Sequence, residues 1–195
     1  MPEQPMPEQS RLLQRKIDIC FGYADQNRDG VVDSGDVLTL AARLIAAVGE
    51  PFDAPKSVAL LGAAAEWWRA LSAVLDADHD GRIDAAEFRG GMLRLTADRQ
   101  DGPGAAAFAA CVPIWELCDR DGDGRVEAAE FGCFQHALGV SPEARQTAFD
   151  KLDLDGDGHL SVDELARALW EFLTSTDAEA PGNWLFGDAF QTAVT

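Results

Sequence analysis

A twelve-residue pattern of oxygen donors, written four times, constrains this chain more than any other feature of it. The copies run over 25–36 (DQNRDGVVDSGD), 76–87 (DADHDGRIDAAE), 119–130 (DRDGDGRVEAAE) and 153–164 (DLDGDGHLSVDE). Each opens on aspartate, carries Asp or Asn third and aspartate fifth, turns on glycine sixth, and closes on a carboxylate twelfth. A hard divalent cation such as calcium takes about six to eight oxygens at flexible angles, so a short loop has to wrap around it. Gly30, Gly81, Gly124 and Gly158 supply the sharp turn without a β-carbon penalty. The seventh residue gives its backbone carbonyl, which leaves its side chain unconstrained. The twelfth starts the outgoing helix and swings its carboxylate back over the ion. One such match is an accident of an acidic turn; four in order are not.

The pattern is that of the EF-hand calcium loop, and it assigns ligands by position. Loop 1 offers Asp25, Asn27, Asp29, the Val31 carbonyl, Asp33 and Asp36. Loop 2 offers Asp76, Asp78, Asp80, the Arg82 carbonyl, Asp84 and Glu87. Loop 3 offers Asp119, Asp121, Asp123, the Arg125 carbonyl, Glu127 and Glu130, and loop 4 Asp153, Asp155, Asp157, the His159 carbonyl, Ser161 and Glu164. Glu87, Glu130 and Glu164 are long enough to bind through both oxygens. Asp36 is one methylene shorter and moves loop 1 toward magnesium, which prefers compact six-fold geometry. The expected cofactor is Ca2+ at up to four sites, with loop 1 the least calcium-selective.

Apolar residues at the eighth positions, Val32, Ile83, Val126 and Leu160, suit short strand pairing between neighbouring loops. Loop 1 is thereby paired with loop 2, and loop 3 with loop 4. The loop starts lie 51, 43 and 34 residues apart. The last interval is that of a compact pair; the first is stretched by an insertion around 50–55. Helical stripes flank every loop. Ile17, Cys20, Phe21 and Ala24 precede loop 1, and Val37, Leu40, Ala41 and Leu44 follow it. Trp68, Leu71 and Leu75, then Phe88, Met92 and Leu95, bracket loop 2. Cys111, Ile114, Trp115 and Cys118, then Phe131, Phe134 and Leu138, bracket loop 3, while Phe149 and Leu152, then Leu165, Leu169 and Phe172, bracket loop 4. Ser141-Pro142-Glu143 reads as a helix start: a cap, a proline at the first helical position, and an acid at the positive end of the dipole. The predicted fold is all-α: eight helices making four EF-hands in two packed pairs, compact and globular, with short β pairing between loops. Residues 1–10 are expected as a disordered N-terminal tail, 11–98 as pair 1, 104–174 as pair 2, and 175–195 as a C-terminal tail folding back on the core.

Net charge is −18, and the loops hold 19 of the 34 acidic residues, so the acidity is invested in ion sites rather than in a solubilising surface. Without metal those carboxylates repel one another, and ion binding and folding are expected to be coupled. One tight site at a thousandfold excess over its dissociation constant adds about 4 kcal/mol. The same charge argues against nucleic acid or an anionic membrane as partner and for a monomer. A hydrophobic fraction of 47% excludes a disordered chain. The start, MPEQPMPEQS, has no apolar signal-type stretch, and Pro2 stands where myristoylation needs glycine. The most apolar run, 58–75, is interrupted by Glu66 and Arg69, so no run is expected to span a membrane, and a cytoplasmic location follows. Cys20, Cys111, Cys118 and Cys133 show no C-x-x-C or zinc spacing and read as buried thiols. His79, His136 and His159 are scattered, and no nucleophile–base pair points to an enzyme.

The choice between calcium buffer and calcium sensor turns on the apolar surface. A sensor opens a methionine-rich groove for a target helix. Here Met92 is the single methionine outside the N-terminal tail. Past the last helix, Trp184, Leu185, Phe186 and Phe190 are costly in water, at about 1.5–3 kcal/mol each. They are expected to plug the apolar cleft. The loop spacing, the linker around 97–104 and the PGNWLFG tail resemble the sarcoplasmic calcium-binding proteins, most of all their bacterial calerythrin branch. That resemblance covers the chain beyond its first ten residues. It implies two packed EF-hand pairs acting as an intracellular Ca2+ and Mg2+ buffer. It also carries an aspartate at the twelfth position of loop 1, as in Asp36, and a degenerate loop 2. Here Asp76, Asp78, Asp80, Asp84 and Glu87 depart from that degeneracy, and four competent sites are expected. Two alternatives stand beside the buffer. One is a sensor that releases its tail to a protein target. The other is a carrier holding an apolar ligand among Trp67, Trp68, Trp115, Trp170 and Trp184.

Overall fold

The computed structural model describes residues 8–97 and 112–192. Four helix–loop–helix units follow one another. Hand 1 runs through α1 (Glu8–Ala24), β1 (Val31–Val32) and α2 (Ser34–Val48), and hand 2 through α3 (Pro55–Leu75), β2 (Ile83–Asp84) and α4 (Ala85–Ala97). Hand 3 comprises α5 (Val112–Cys118), β3 (Arg125–Glu127) and α6 (Ala128–Ala137). Hand 4 comprises α7 (Pro142–Leu152), β4 (His159–Ser161) and α8 (Val162–Thr174). The tail adds a 3-10 turn (Pro181–Trp184) and α9 (Ala189–Thr192), which the eight-helix reading did not contain. Helix α1 begins inside the stretch expected as N-terminal tail, since Glu8–Ser10 are helical. Residues 1–7, the linker from 98 onward, Cys111 and 193–195 lie outside the described residues.

The helices start and stop where local chemistry dictates. Asp33 caps α2 by accepting the Gly35 and Asp36 N–H groups, and Gly49 ends it in the left-handed region at φ 81°. Ser141 accepts the Ala144 N–H ahead of Pro142 and Glu143, the predicted start of α7. Between loops the strands pair antiparallel, with Val32 opposite Ile83 and Val126 opposite Leu160. Those four eighth-position side chains are buried. Each ribbon therefore also roofs the core.

One core runs through both pairs, from Ile17, Leu44 and Leu75 to Trp115, Phe131 and Leu165. Helix α2 packs on α3 and on α6, and α3 packs on α5, so the pairs meet over a broad face. At 21 residues α3 is long and apolar enough to cross a membrane by length and composition, against the expectation drawn from Glu66 and Arg69. Those two charges form an exposed ion pair on its surface. Its inner face seats Ser57, Leu60, Ala64, Leu71 and Leu75 on the core.

The C-terminal segment is built into this core. Leu185 and Phe190 are buried. Gln135 Nε2 donates to the Leu185 carbonyl at 3.3 Å, Glu171 Oε2 accepts the Gly182 N–H at 2.6 Å, and Asn183 Nδ2 donates to the Asp177 and Ala178 carbonyls. Lys16 of α1 is wholly buried, donates to the Ser175 carbonyl at 2.8 Å, and lies 5.6 Å and 5.2 Å from the ring centres of Phe172 and Phe190. A buried ammonium with such partners ties the first helix to the last segment.

Candidate metal centres

The first residue closes every loop in the same way. Asp25, Asp76, Asp119 and Asp153 each accept the N–H of the sixth-position glycine through Oδ2, at 3.0 Å in all four. In loops 2 and 3 the twelfth residue then ties the loop's ends together, and in loop 4 it holds the ninth residue. Glu87 accepts the Ala77 and Asp84 N–H groups, Glu130 those of Arg120 and Glu127, and Glu164 that of Ser161. Both sets of bonds hold the carboxylates in place.

Three loops bring acidic oxygens together. Asp76, Asp78 and Asp80 form one group, Asp119, Asp121 and Glu130 a second, and Asp153, Asp155 and Glu164 a third, with the oxygens of each group within 4.8 Å of one another. Like charges this close are unfavourable without a cation between them. Asp76 Oδ1 is buried and has no hydrogen-bond partner, which leaves an acceptor that a metal would satisfy. Hard oxygen donors in this number suit Ca2+.

The remaining assigned residues are placed differently. Asp123 and Asp157 lie outside the convergent groups, and each accepts the N–H of its seventh-position neighbour, Arg125 at 2.8 Å and His159 at 3.1 Å. Glu87 also stands outside its loop's group, held on Ala77 and Asp84. At the ninth positions, Asp33, Asp84 and Ser161 cap the outgoing helices. Val31, Arg125 and His159 sit in the strands, and Arg82 immediately precedes one.

Loop 1 is built on a neutral third ligand. Asn27 Oδ1 accepts the Asp29 N–H at 2.8 Å, and its Nδ2 donates to Asp29 Oδ2 at 3.3 Å. No three carboxylates converge there as they do in loops 2, 3 and 4. Asp36 is 2 % exposed and accepts three N–H groups, from Gln26, Asn27 and Asp33. Its short arm reaches both ends of the loop.

One feature of the loops escaped the ligand pattern. The fourth residue always takes a positive φ: Arg28 and His79 at 60°, Gly122 at 76° and Gly156 at 74°. The signal was present in the sequence, since loops 3 and 4 place a second glycine there.

Between the pairs lies a cavity of about 200 Å³ with apolar walls that include Trp67, Phe88, Met92, Trp115 and Phe134. Leu185 and Phe186 of the tail complete it, and Tyr23, whose ring lies tilted 5.3 Å from that of Phe186, faces it as well.

Comparison with known proteins agrees with this geometry. A model of an EF-hand domain pair matches residues 108–170, and a single EF-hand model matches 73–93. A Streptomyces coelicolor calcium-binding protein, whose structure is described as a basis for calcium-mediated regulation, is 30% identical, with a TM-score of 0.73 over 83% of this chain and 98% of its own. The chain belongs to the EF-hand calcium-binding proteins. Calerythrin from Saccharopolyspora erythraea is 28% identical over 157 residues, 78% of this chain and 86% of the relative. A sarcoplasmic calcium-binding protein from amphioxus shares the fold at 17% identity, with a TM-score of 0.73 over 90% of this chain and 96% of its own. This EF-hand protein keeps acid convergence in loop 2, where its family resemblance implied degeneracy.

Proposed function

We propose that the protein is a cytoplasmic calcium buffer, admitting magnesium at loop 1, with no catalytic role. The observation that carries this reading is the tail. Leu185 and Phe186 wall the central cavity, Phe190 is buried beside Lys16, and polar contacts from Gln135, Glu171 and Asn183 fix the segment between them. A cleft closed over by the chain itself has little apolar surface to offer a target. In this reading Asp76, Asp119 and Asp153, with their loop partners, exchange mutual repulsion for ion contacts, and the fold tightens as calcium rises.

The test is a calcium titration at physiological magnesium, followed by a dye that fluoresces on exposed apolar surface. Constant or falling emission is expected. A strong calcium-dependent rise overturns the buffer and favours a second reading, a regulator that releases its tail to a protein partner. Two observations support that second reading. The tail is the removable wall of an apolar cavity, and the S. coelicolor relative is described in terms of calcium-mediated regulation. The same cavity supports the carrier reading, for which an apolar small molecule retained through purification is the expected sign.

A further inference from the structure

EF-hand loops usually communicate within a pair, through the strand ribbon that joins them. Here the ribbons join loop 1 to loop 2 and loop 3 to loop 4. Two cations of the first pair reach beyond that wiring, and both end on hand 3. Arg43, on α2, donates through Nη1 to Gln26 Oε1 at 2.6 Å and through Nη2 to the Ala137 carbonyl at 2.6 Å. Gln26 is the second residue of loop 1, and its own N–H rests on the Asp36 carboxylate. Ala137 is the last residue of α6, the helix whose first turn carries Glu130. One guanidinium therefore joins the ion loop of hand 1 to the end of the outgoing helix of hand 3.

The second link enters hand 3 from its other side. Lys56, in the first turn of α3, donates through Nζ to the backbone carbonyl of Asp119. Asp119 is the opening ligand of loop 3, and its N–H is held by the Trp115 carbonyl at 2.9 Å. Arg43 and Lys56 thus grip hand 3 at the start of its loop and at the end of its exit helix. Neither belongs to a ligand set. The helices that bear them, α2 and α3, pack on each other, and they pack on α6 and α5 of hand 3.

We infer that loops 1 and 3 are energetically coupled across the two pairs through Arg43 and Lys56, so that filling one raises the affinity of the other. An ion at loop 1 fixes Gln26 and Asp36, which holds Arg43 against Ala137. An ion at loop 3 fixes Asp119, which holds the carbonyl that Lys56 grips. Linkage makes the effect reciprocal: loop 1 gains from calcium at loop 3 by the same factor. The coupling needs only that the loops bind calcium, so it stands whether the protein is a buffer or a regulator.

The test uses the full chain and site-resolved occupancy, read from the backbone amide signals of Gly30 and Gly124 during a calcium titration. Asp25→Ala disables loop 1. In the native background this change is expected to shift the Gly124 midpoint to higher calcium by about fivefold, a typical coupling. In the Arg43→Met, Lys56→Met background the same change is expected to shift it by less than about half as much. Methionine keeps the apolar stems, and folding is checked by the circular dichroism of the calcium-saturated forms. Arg89→Met, which removes an exposed ion pair with Asp18 inside the first pair, is the control and should leave the full shift in place. The inference is overturned if the Gly124 midpoint ignores Asp25→Ala, or if the shift survives undiminished in the double variant. Neither result bears on the dye titration, so the buffer reading stands or falls separately.

Discussion

Gly187 lies against Val140 with no room for a side chain: a β-carbon on it would stand 2.4 Å from Val140 Cγ1. Its φ of 68° adds a second reason for glycine. The contact seats the end of the tail on the segment between α6 and α7. Gly187→Ala is expected to cost about 1–3 kcal/mol, from backbone strain and the overpacked contact. The calcium-loaded urea midpoint reads the stability. Dye emission, raised at every calcium concentration, reads the loosened tail. A midpoint within error of the native protein would show that the tail contributes nothing to the fold.

The fourth loop residues offer a matched comparison. Gly122 and Gly156 hold positive φ without cost, whereas Arg28 and His79 hold it with a β-carbon. A left-handed conformation costs a residue with a side chain roughly 1–2 kcal/mol. Gly122→Ala is therefore expected to weaken loop 3 by about 1 kcal/mol, roughly a fivefold loss of calcium affinity. His79→Ala, which exchanges one side chain for another, should change loop 2 by less. Calorimetric titration of the two variants decides it, and equal losses would sink the argument.

The loops were legible because their chemistry is local. A glycine, an acid or a cap acts within twelve residues, so Asp76, Gly81 and Glu87 announce themselves in order. Ribbon pairing followed for the same reason, from single residues such as Val32 and Ile83. The engaged partners of those acids were not legible. Nothing in the spacing says that Asp84 turns to cap α4, or that Asp123 holds the Arg125 N–H. Contacts of long range were hidden altogether. Lys16 reads as one more cation on an amphipathic helix, yet it meets Ser175, 159 positions away. Arg43 and Lys56 look like surface charges until α2 and α3 are laid on hand 3. The PGNWLFG segment was conspicuous by its apolar cost, but its 3-10 turn depends on a fit that Gly182 makes with Ala168 and Glu171.

Burial pushes the Lys16 ammonium down to about 8, against the pull of Glu171 and Asp177. The folded protein therefore releases this proton more readily than the unfolded chain, whose lysine titrates near its ordinary value of 10.5. Below about pH 8 both states are protonated, and the fold bears the full penalty of a buried charge. As pH rises from there toward 10, the penalty is relieved and stability increases. Lys16→Met abolishes this dependence. The difference in urea midpoint between native protein and variant, measured with calcium saturating at pH 7.5 and pH 9.5, should move in favour of the native protein at the higher pH. A difference that stays constant would mean that Lys16 is not buried as a charge.

Asp36 joins the two ends of loop 1 through a short arm, accepting N–H groups from Gln26, Asn27 and Asp33 while almost fully buried. A longer side chain in the same place must give up part of that set or push the loop open. Asp36→Glu is expected to lower the stability of the metal-free protein by about 1 kcal/mol, the worth of one such bond. The same change supplies the second oxygen that calcium favours and compact magnesium geometry does not. The magnesium concentration needed to displace half the calcium from loop 1 should rise severalfold. The Gly30 amide signal under competition reads this directly. A variant that loses stability with no change in ion preference would assign Asp36 to closing the loop and leave selectivity to the third position, where Asn27 replaces a charge with an amide.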